Sequence, residues 1–173
     1  IVIMDKTGTI TKGEPEVTGI LPADGISEKE LLESAFAVES LSEHPLARGI
    51  VARAKHDGLT ALEVSGFAAV PGKGLTAKLG AEEVRGGNRE FVAEKTEIPD
   101  ASVKASGECA SRGETPLFFE RGGRFLGVIA VADVIKEDSP QAIAELRNMG
   151  IHVVRGGQMP AGHRRFPQPV GWV

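Results

Sequence analysis

Ile1-Val2-Ile3-Met4-Asp5-Lys6-Thr7-Gly8-Thr9 decides how the rest of the chain is read. Its opening apolar run is the pattern of a short strand buried on both faces of a parallel sheet. The polar run that follows puts Asp5 at the strand's carboxyl end, where open α/β sheets gather their chemistry. A carboxylate there is a candidate nucleophile toward a phosphoryl group, giving an acyl phosphate. Gly8 permits close backbone approach, while Lys6, Thr7 and Thr9 offer donors to phosphate oxygens. The plainer reading of the same residues is a strand followed by a polar turn.

At 173 residues the chain has material for one good core or two small ones. Its 20 Lys and Arg against 24 Asp and Glu give a formal charge of −4, with no basic stripe, so nucleic acid is not an expected partner. The single cysteine, Cys109, excludes an internal disulfide framework and a Cys-x-x-Cys metal site and points to a reducing, cytosolic setting. Cys109 itself is expected to pack within a helix. No apolar run approaches the about 20 residues that span a bilayer, and no signal peptide is visible, so a soluble piece is expected even if the parent is a membrane protein.

Local signals divide the rest. Ser27 followed by Glu30 is a capping box, with Ile26 and Leu31 as its hydrophobic staple; it opens a helix whose buried stripe includes Leu31, Leu32, Ala35, Phe36 and Val38 and which carries Glu39 near its end. Pro45 starts a second helix that stops before Gly58. Short β-like runs follow at 63–70, 75–79 and 82–85, punctuated by glycine. Gly72-Lys73-Gly74 lacks the spacing and the Ser or Thr of a phosphate loop, and its plain reading is a hairpin turn. Two more helices are expected at 89–95 and 101–112, then a strand at 115–121, so residues 16–122 read as an α+β unit on an antiparallel sheet. The near-continuous apolar run from Arg124 to Ala132 reads as a strand of the parallel sheet, ending in Asp133. Ser139-Pro140 then caps a helix with the stripe Ile143, Leu146 and Met149, and Ile151–Val154 is the next strand of a β-α-β continuation.

Asp5-Lys6-Thr7-Gly8-Thr9 resembles the phosphorylation signature of the P-type ATPases, relatives of the haloacid dehalogenase phosphatases. Ser42-Glu43-His44-Pro45-Leu46 is similar to a string found in the heavy-metal-transporting branch, and Thr115–Phe119 and Val131–Ser139 look most like bacterial copper exporters. The resemblance implies an α/β fold: a haloacid-dehalogenase-like phosphorylation domain with a Rossmann-type parallel sheet, incomplete, carrying an inserted nucleotide-binding domain. The expected divisions are 1–15 and 123–154 for the phosphorylation domain, 16–122 for the insert, and 155–173 for a tail outside the family, rich in Pro, Gly and Arg and expected to be poorly ordered.

By the same resemblance, Asp5 is the phosphorylated residue, supported by Lys6 and Thr7, with magnesium (Mg2+) held by the Asp5 carboxylate and the Thr7 carbonyl. Asp133 is either catalytic support or a plain helix-capping residue. The adenosine of ATP is expected against Glu39, His44, Gly72, Gly74, Gly87 and Asn88. Glu39 and His44 are five residues apart and meet only if the chain bends between them. Phosphatases of the wider family carry a second Asp two residues after the nucleophile; Thr7 stands there and implies an acyl phosphate that hydrolyses slowly. The implied partners are ATP and the remaining domains and transmembrane helices of one pump at the cytoplasmic face of the membrane, the transported ion being bound elsewhere. The Thr-Gly-Asp and Gly-Asp-Gly-x-Asn-Asp segments of the family do not occur in these residues, so the polypeptide is expected to bind ATP and form little phosphoenzyme. The alternatives are a nucleotide-binding module without turnover and a phosphatase with a cap domain.

Overall fold

A computed structural model describes residues 2–5, 11–135, 139–150 and 153–156. The chain forms two compact units, one of them Pro15–Ala132 and the other drawn from the residues on either side.

The smaller unit contains the strand β1 (Val2–Asp5) and a later strand, Val153–Gly156, paired in parallel with Val2 opposite Val153 and Asp5 opposite Gly156. Parallel pairing requires a crossover, and the sequence between supplies it. The later strand includes Arg155 and Gly156, which the sequence reading assigned to the tail: β-pairing with Met4 and Asp5 carries it past Val154. Residues 157–173 lie outside the described part.

The larger unit is a six-stranded sheet. After β2 (Thr11–Pro22) come two helices, α1 (Glu28–Glu39) and α2 (Pro45–His56), then the strands β3 (Ser65–Val70), β4 (Gly74–Leu79) and β5 (Glu82–Gly87). The helices α3 (Arg89–Ala93) and α4 (Asp100–Ser111) lead to β6 (Thr115–Arg121) and β7 (Arg124–Ile135). The strand order is β2-β7-β6-β5-β4-β3, and β3 through β7 pair antiparallel along that order. Beyond it lie α5 (Ser139–Asn148) and β8, the strand Val153–Gly156.

Helix starts follow the local chemistry. The Ser27 hydroxyl accepts from Glu30 N–H at 3.1 Å, and Ile26 and Leu31 share one buried cluster, as a capped and stapled start requires. Pro45 opens α2 behind His44, whose Nδ1 accepts from Leu46 N–H at 3.2 Å. Both faces of the sheet are covered. Phe119, Leu75 and Val84 enter the cluster under α1 and α2, whereas Phe118, Phe125 and Val128 enter a second cluster with Val92 of α3, the alternation that a strand imposes on neighbouring side chains. Cys109 is buried in α4, as expected.

Two expectations are corrected. Arg124–Ala132 is not a strand of the parallel sheet: it is most of β7, antiparallel to β6 with Phe118 opposite Val128. Val128 to Val131 are buried because helices cover both faces of an antiparallel sheet, and an apolar run reports burial on two faces without reporting strand direction. The larger unit accordingly extends to Ala132 rather than stopping near Gly122, β7 runs on to Ile135, and β7-α5-β8 is not a β-α-β unit of one sheet. Met149, expected on the buried stripe of α5, is 66% exposed: the helix ends at Asn148, before Met149 could lie on an inner face.

Candidate nucleotide site

Glu39 is the last residue of α1, and the turn after it brings His44 to the start of α2. Ser42 N–H donates to the Glu39 carbonyl at 3.0 Å, and the Ser42 hydroxyl accepts from His44 N–H at 3.3 Å. These two bonds reverse the chain within a few residues, which is the bend that a common site for Glu39 and His44 needs. Both line one cavity of about 790 Å³.

The opposite wall comes from the Gly72-Lys73-Gly74 turn and the end of β5, so Gly72, Gly74, Gly87 and Asn88 line the same cavity. Asn88 organises this wall twice. Its Oδ1 accepts from Phe91 N–H at 2.9 Å and caps α3, and its Nδ2 donates to the Gly72 carbonyl at 3.2 Å. Asn88 N–H also donates to the Lys73 carbonyl at 2.8 Å. All six residues expected around adenosine are therefore brought together. Leu41, Phe67 and Leu117 add apolar wall, and nothing in their spacing had singled them out.

The electrostatics of the cavity centre on Glu39, which is 5% exposed. Burial pushes its carboxyl up to about 7 against an ordinary 4.5, and the nearby Ser42 hydroxyl pulls the other way. The Lys73 ammonium is engaged 3.1 Å from Glu94. Glu94 also holds Arg85, a residue that sequence reasoning missed: its guanidinium is buried, lies 4.4 Å over the Phe91 ring and reaches Glu83, Glu94 and the Phe91 carbonyl. No periodicity marks an arginine on a β-strand as buried.

The residues expected around the phosphate are placed less fully. Asp5 closes β1 at the parallel strand's carboxyl end, while its side chain, with Lys6 and Thr7, lies outside the described part. Asp133 lies within β7 rather than at a helix start, so the capping reading is set aside. Its carboxylate accepts from the Thr11 hydroxyl and from Gly13 N–H, the latter at 2.9 Å, which pins the start of β2.

The profile of the haloacid dehalogenase-like hydrolases matches residues 1–157. The copper-transporting ATPase 1 of Rhizobium meliloti is 38% identical over 154 residues, 88% of this chain and 18% of that protein. The copper-exporting P-type ATPase of Bacillus subtilis is 33% identical over 169 residues, 98% of this chain and 21% of that protein. This alignment runs past Val154. A zinc-transporting PIB-type ATPase crystallised in its E2.Pi state superposes with a TM-score of 0.79 at 37% identity, over 88% of this chain and 24% of that one. The chain thus spans about a fifth of the length of these curated relatives. A parallel β1–β8 pair ending in Asp5, a separate unit on an antiparallel sheet and the match over residues 1–157 lead to one assignment: the chain belongs to the haloacid dehalogenase-like hydrolase family.

Proposed function

We propose that this chain is the ATP-binding and phosphorylation loop of a heavy-metal P-type ATPase at the cytoplasmic face of a membrane, with copper as the transported ion. The observation that carries the reading is the cavity of about 790 Å³ lined by Glu39, His44, Gly72, Gly74, Gly87 and Asn88, residues drawn from separate motifs. Its size suits a nucleoside, its Leu41, Phe67 and Leu117 walls suit a purine face, and its acid and imidazole suit a purine edge. Asn88 and the glycines shape the wall where the ribose and phosphates leave. The copper assignment rests on the relatives in Rhizobium and Bacillus.

In the whole pump, the γ-phosphoryl group of ATP passes to the Asp5 carboxylate, with Lys6 and Thr7 offering donors to its oxygens and Asp133 holding the chain that follows. Asp5 and Thr7 would hold magnesium, which supplies charge neutralisation on the phosphate oxygens. Thr7 stands two residues after Asp5, where phosphatases of the wider family carry the Asp that activates water, which favours a pump over the phosphatase alternative. The alternative is a nucleotide-binding module without turnover, which the labelling experiment below distinguishes.

Calorimetric titration of the whole chain with ATP tests the binding. His44→Ala is expected to weaken ATP by about 1–2 kcal/mol, roughly tenfold, through loss of one stacking or hydrogen-bonding contact. Unchanged affinity in that variant, or no binding by the parent chain, overturns the site. Incubation with γ-labelled ATP and magnesium, then acid quench, separates the readings: label lost in Asp5→Asn marks phosphoryl transfer, and binding without label marks the module.

A further inference from the structure

Among the described residues, Lys73 is the only lysine or arginine on the cavity wall; the other titratable groups there are Glu39, Glu43 and His44. A ligand that carries a phosphate chain needs positive charge to meet its oxygens, and this wall offers a fixed cation at one place.

The backbone of Lys73 is tied down and its side chain is not. Lys73 N–H donates to the Val70 carbonyl at 3.0 Å, and the Lys73 carbonyl accepts from Asn88 N–H at 2.8 Å, so the turn holds this residue at the cavity edge. Its ammonium meanwhile lies 3.1 Å from a carboxylate oxygen of Glu94, a residue outside the cavity wall, and both side chains are about half exposed. An ion pair between exposed side chains is held weakly, because water and salt compete for both partners. Glu94 also has a second cation: its other oxygen accepts from the Arg85 guanidinium at 3.1 Å. If Lys73 leaves, Glu94 keeps Arg85, so no stranded acid opposes the departure.

We propose that Lys73 is a phosphate-binding side chain parked on Glu94: when a nucleotide enters the cavity, the Lys73 ammonium exchanges the Glu94 carboxylate for a phosphate oxygen, and Glu94 competes with the ligand for it. This rests on the reading that the cavity takes ATP, and makes Lys73 the residue that separates ATP from adenosine. The flexible four-carbon stem lets the ammonium turn from one partner to the other while the Gly72-Lys73-Gly74 backbone stays in place. A phosphate chain carries more negative charge than a carboxylate and so wins the exchange.

The test is calorimetric titration of the whole chain, in magnesium-free buffer, with ATP and separately with adenosine. Lys73→Met is expected to weaken ATP about tenfold and to leave adenosine within about twofold, since only the phosphates lose a partner. Glu94→Gln releases the ammonium while its amide oxygen still accepts from Arg85, so ATP should bind about threefold more tightly and adenosine as before. Removing an acid near the cavity would favour any anion, so the double variant decides between competition and a general field: with Lys73→Met in place, Glu94→Gln should bring no gain. Unchanged ATP affinity in Lys73→Met, an equal loss for adenosine, or a Glu94→Gln gain that persists without Lys73 overturns the proposal and leaves the nucleotide site standing. Binding of neither ATP nor adenosine by the parent chain removes the site and the proposal together.

Discussion

Gly74 and Gly87 stand opposite each other on β4 and β5, so close that a Cβ on either would come within 2.7 Å of the other's Cα. Such a Cβ would also meet backbone carbonyls, of Gly86 from Gly74 and of Lys73 from Gly87. These glycines let two backbones approach, which is a role in the wall rather than at the ligand. Gly72 differs: it has φ +71° and open space where a Cβ would go.

Gly74→Ala is therefore expected to cost about 3 kcal/mol or more, since backbone must move, whereas Gly72→Ala costs about 1–2 kcal/mol of left-handed strain. Urea unfolding of the two variants checks this, and equal losses would contradict the assignment of roles. Loss of ATP binding in Gly74→Ala would consequently report a deformed wall.

Glu39 predicts a slope of stability with pH. The folded chain titrates this group at about 7 against an ordinary 4.5, so between those values it keeps a proton that the unfolded chain releases. The contribution is fully present below about 4.5 and is lost as pH rises through about 7. Its size is up to about 3 kcal/mol, relative to Glu39→Gln, which has nothing to ionise. Urea midpoints from pH 4.5 to pH 8 are expected to fall faster in the parent chain than in Glu39→Gln; parallel curves would refute the shift.

What the sequence made legible was local. The starts of α1 and α2 follow from Ser27 and Pro45, because capping and proline geometry act within a turn. Asp5 at the end of a parallel strand follows from one apolar run and its polar stop. The same pattern misled at Arg124–Ala132, where two-sided burial comes from helices on both faces of an antiparallel sheet. Glu39 and His44 were nominated by likeness, but their convergence depends on the Ser42 bonds, which no periodicity encodes. Phe67 and Leu117 line the cavity only because of register, a long-range property.

Arg85 carries a stability prediction that no motif announced. Arg85 is 7% exposed, and its Nε, without a hydrogen-bond partner among the described residues, lies 3.9 Å from a carboxylate oxygen of Glu120, itself 1% exposed. Glu120 also accepts from Gly123 N–H at 2.8 Å, and burial raises its pKa. Arg85→Met strips the positive partner from a buried acid and is expected to cost about 3–5 kcal/mol. Adding Glu120→Gln removes the stranded charge while keeping an acceptor for Gly123, so the double variant should regain part of that loss. Chemical denaturation giving the same stability for single and double variants would show that the stranded charge is not the cause.

Asp133 links the end of β7 to the start of β2, accepting from the Thr11 hydroxyl and from Gly13 N–H. A hydrogen bond to a charged acceptor contributes about 1.5–3 kcal/mol, so removing the carboxylate should free Gly13 N–H to open locally. Asp133→Ala is expected to speed amide hydrogen exchange at Gly13 by at least about tenfold, the equivalent of about 1.4 kcal/mol, without a comparable change in the β5–β6 core. Asp133→Asn discriminates further. Its amide oxygen can still accept from Gly13 N–H, but its NH₂ then faces the Thr11 hydroxyl, which must accept instead of donate. Exchange at Gly13 should therefore stay within about threefold of the parent chain in Asp133→Asn. An unchanged Gly13 rate in Asp133→Ala would mean that Asp133 does not hold this crossing, and the reading of Asp133 as the residue that steadies the chain leaving Asp5 would fall with it.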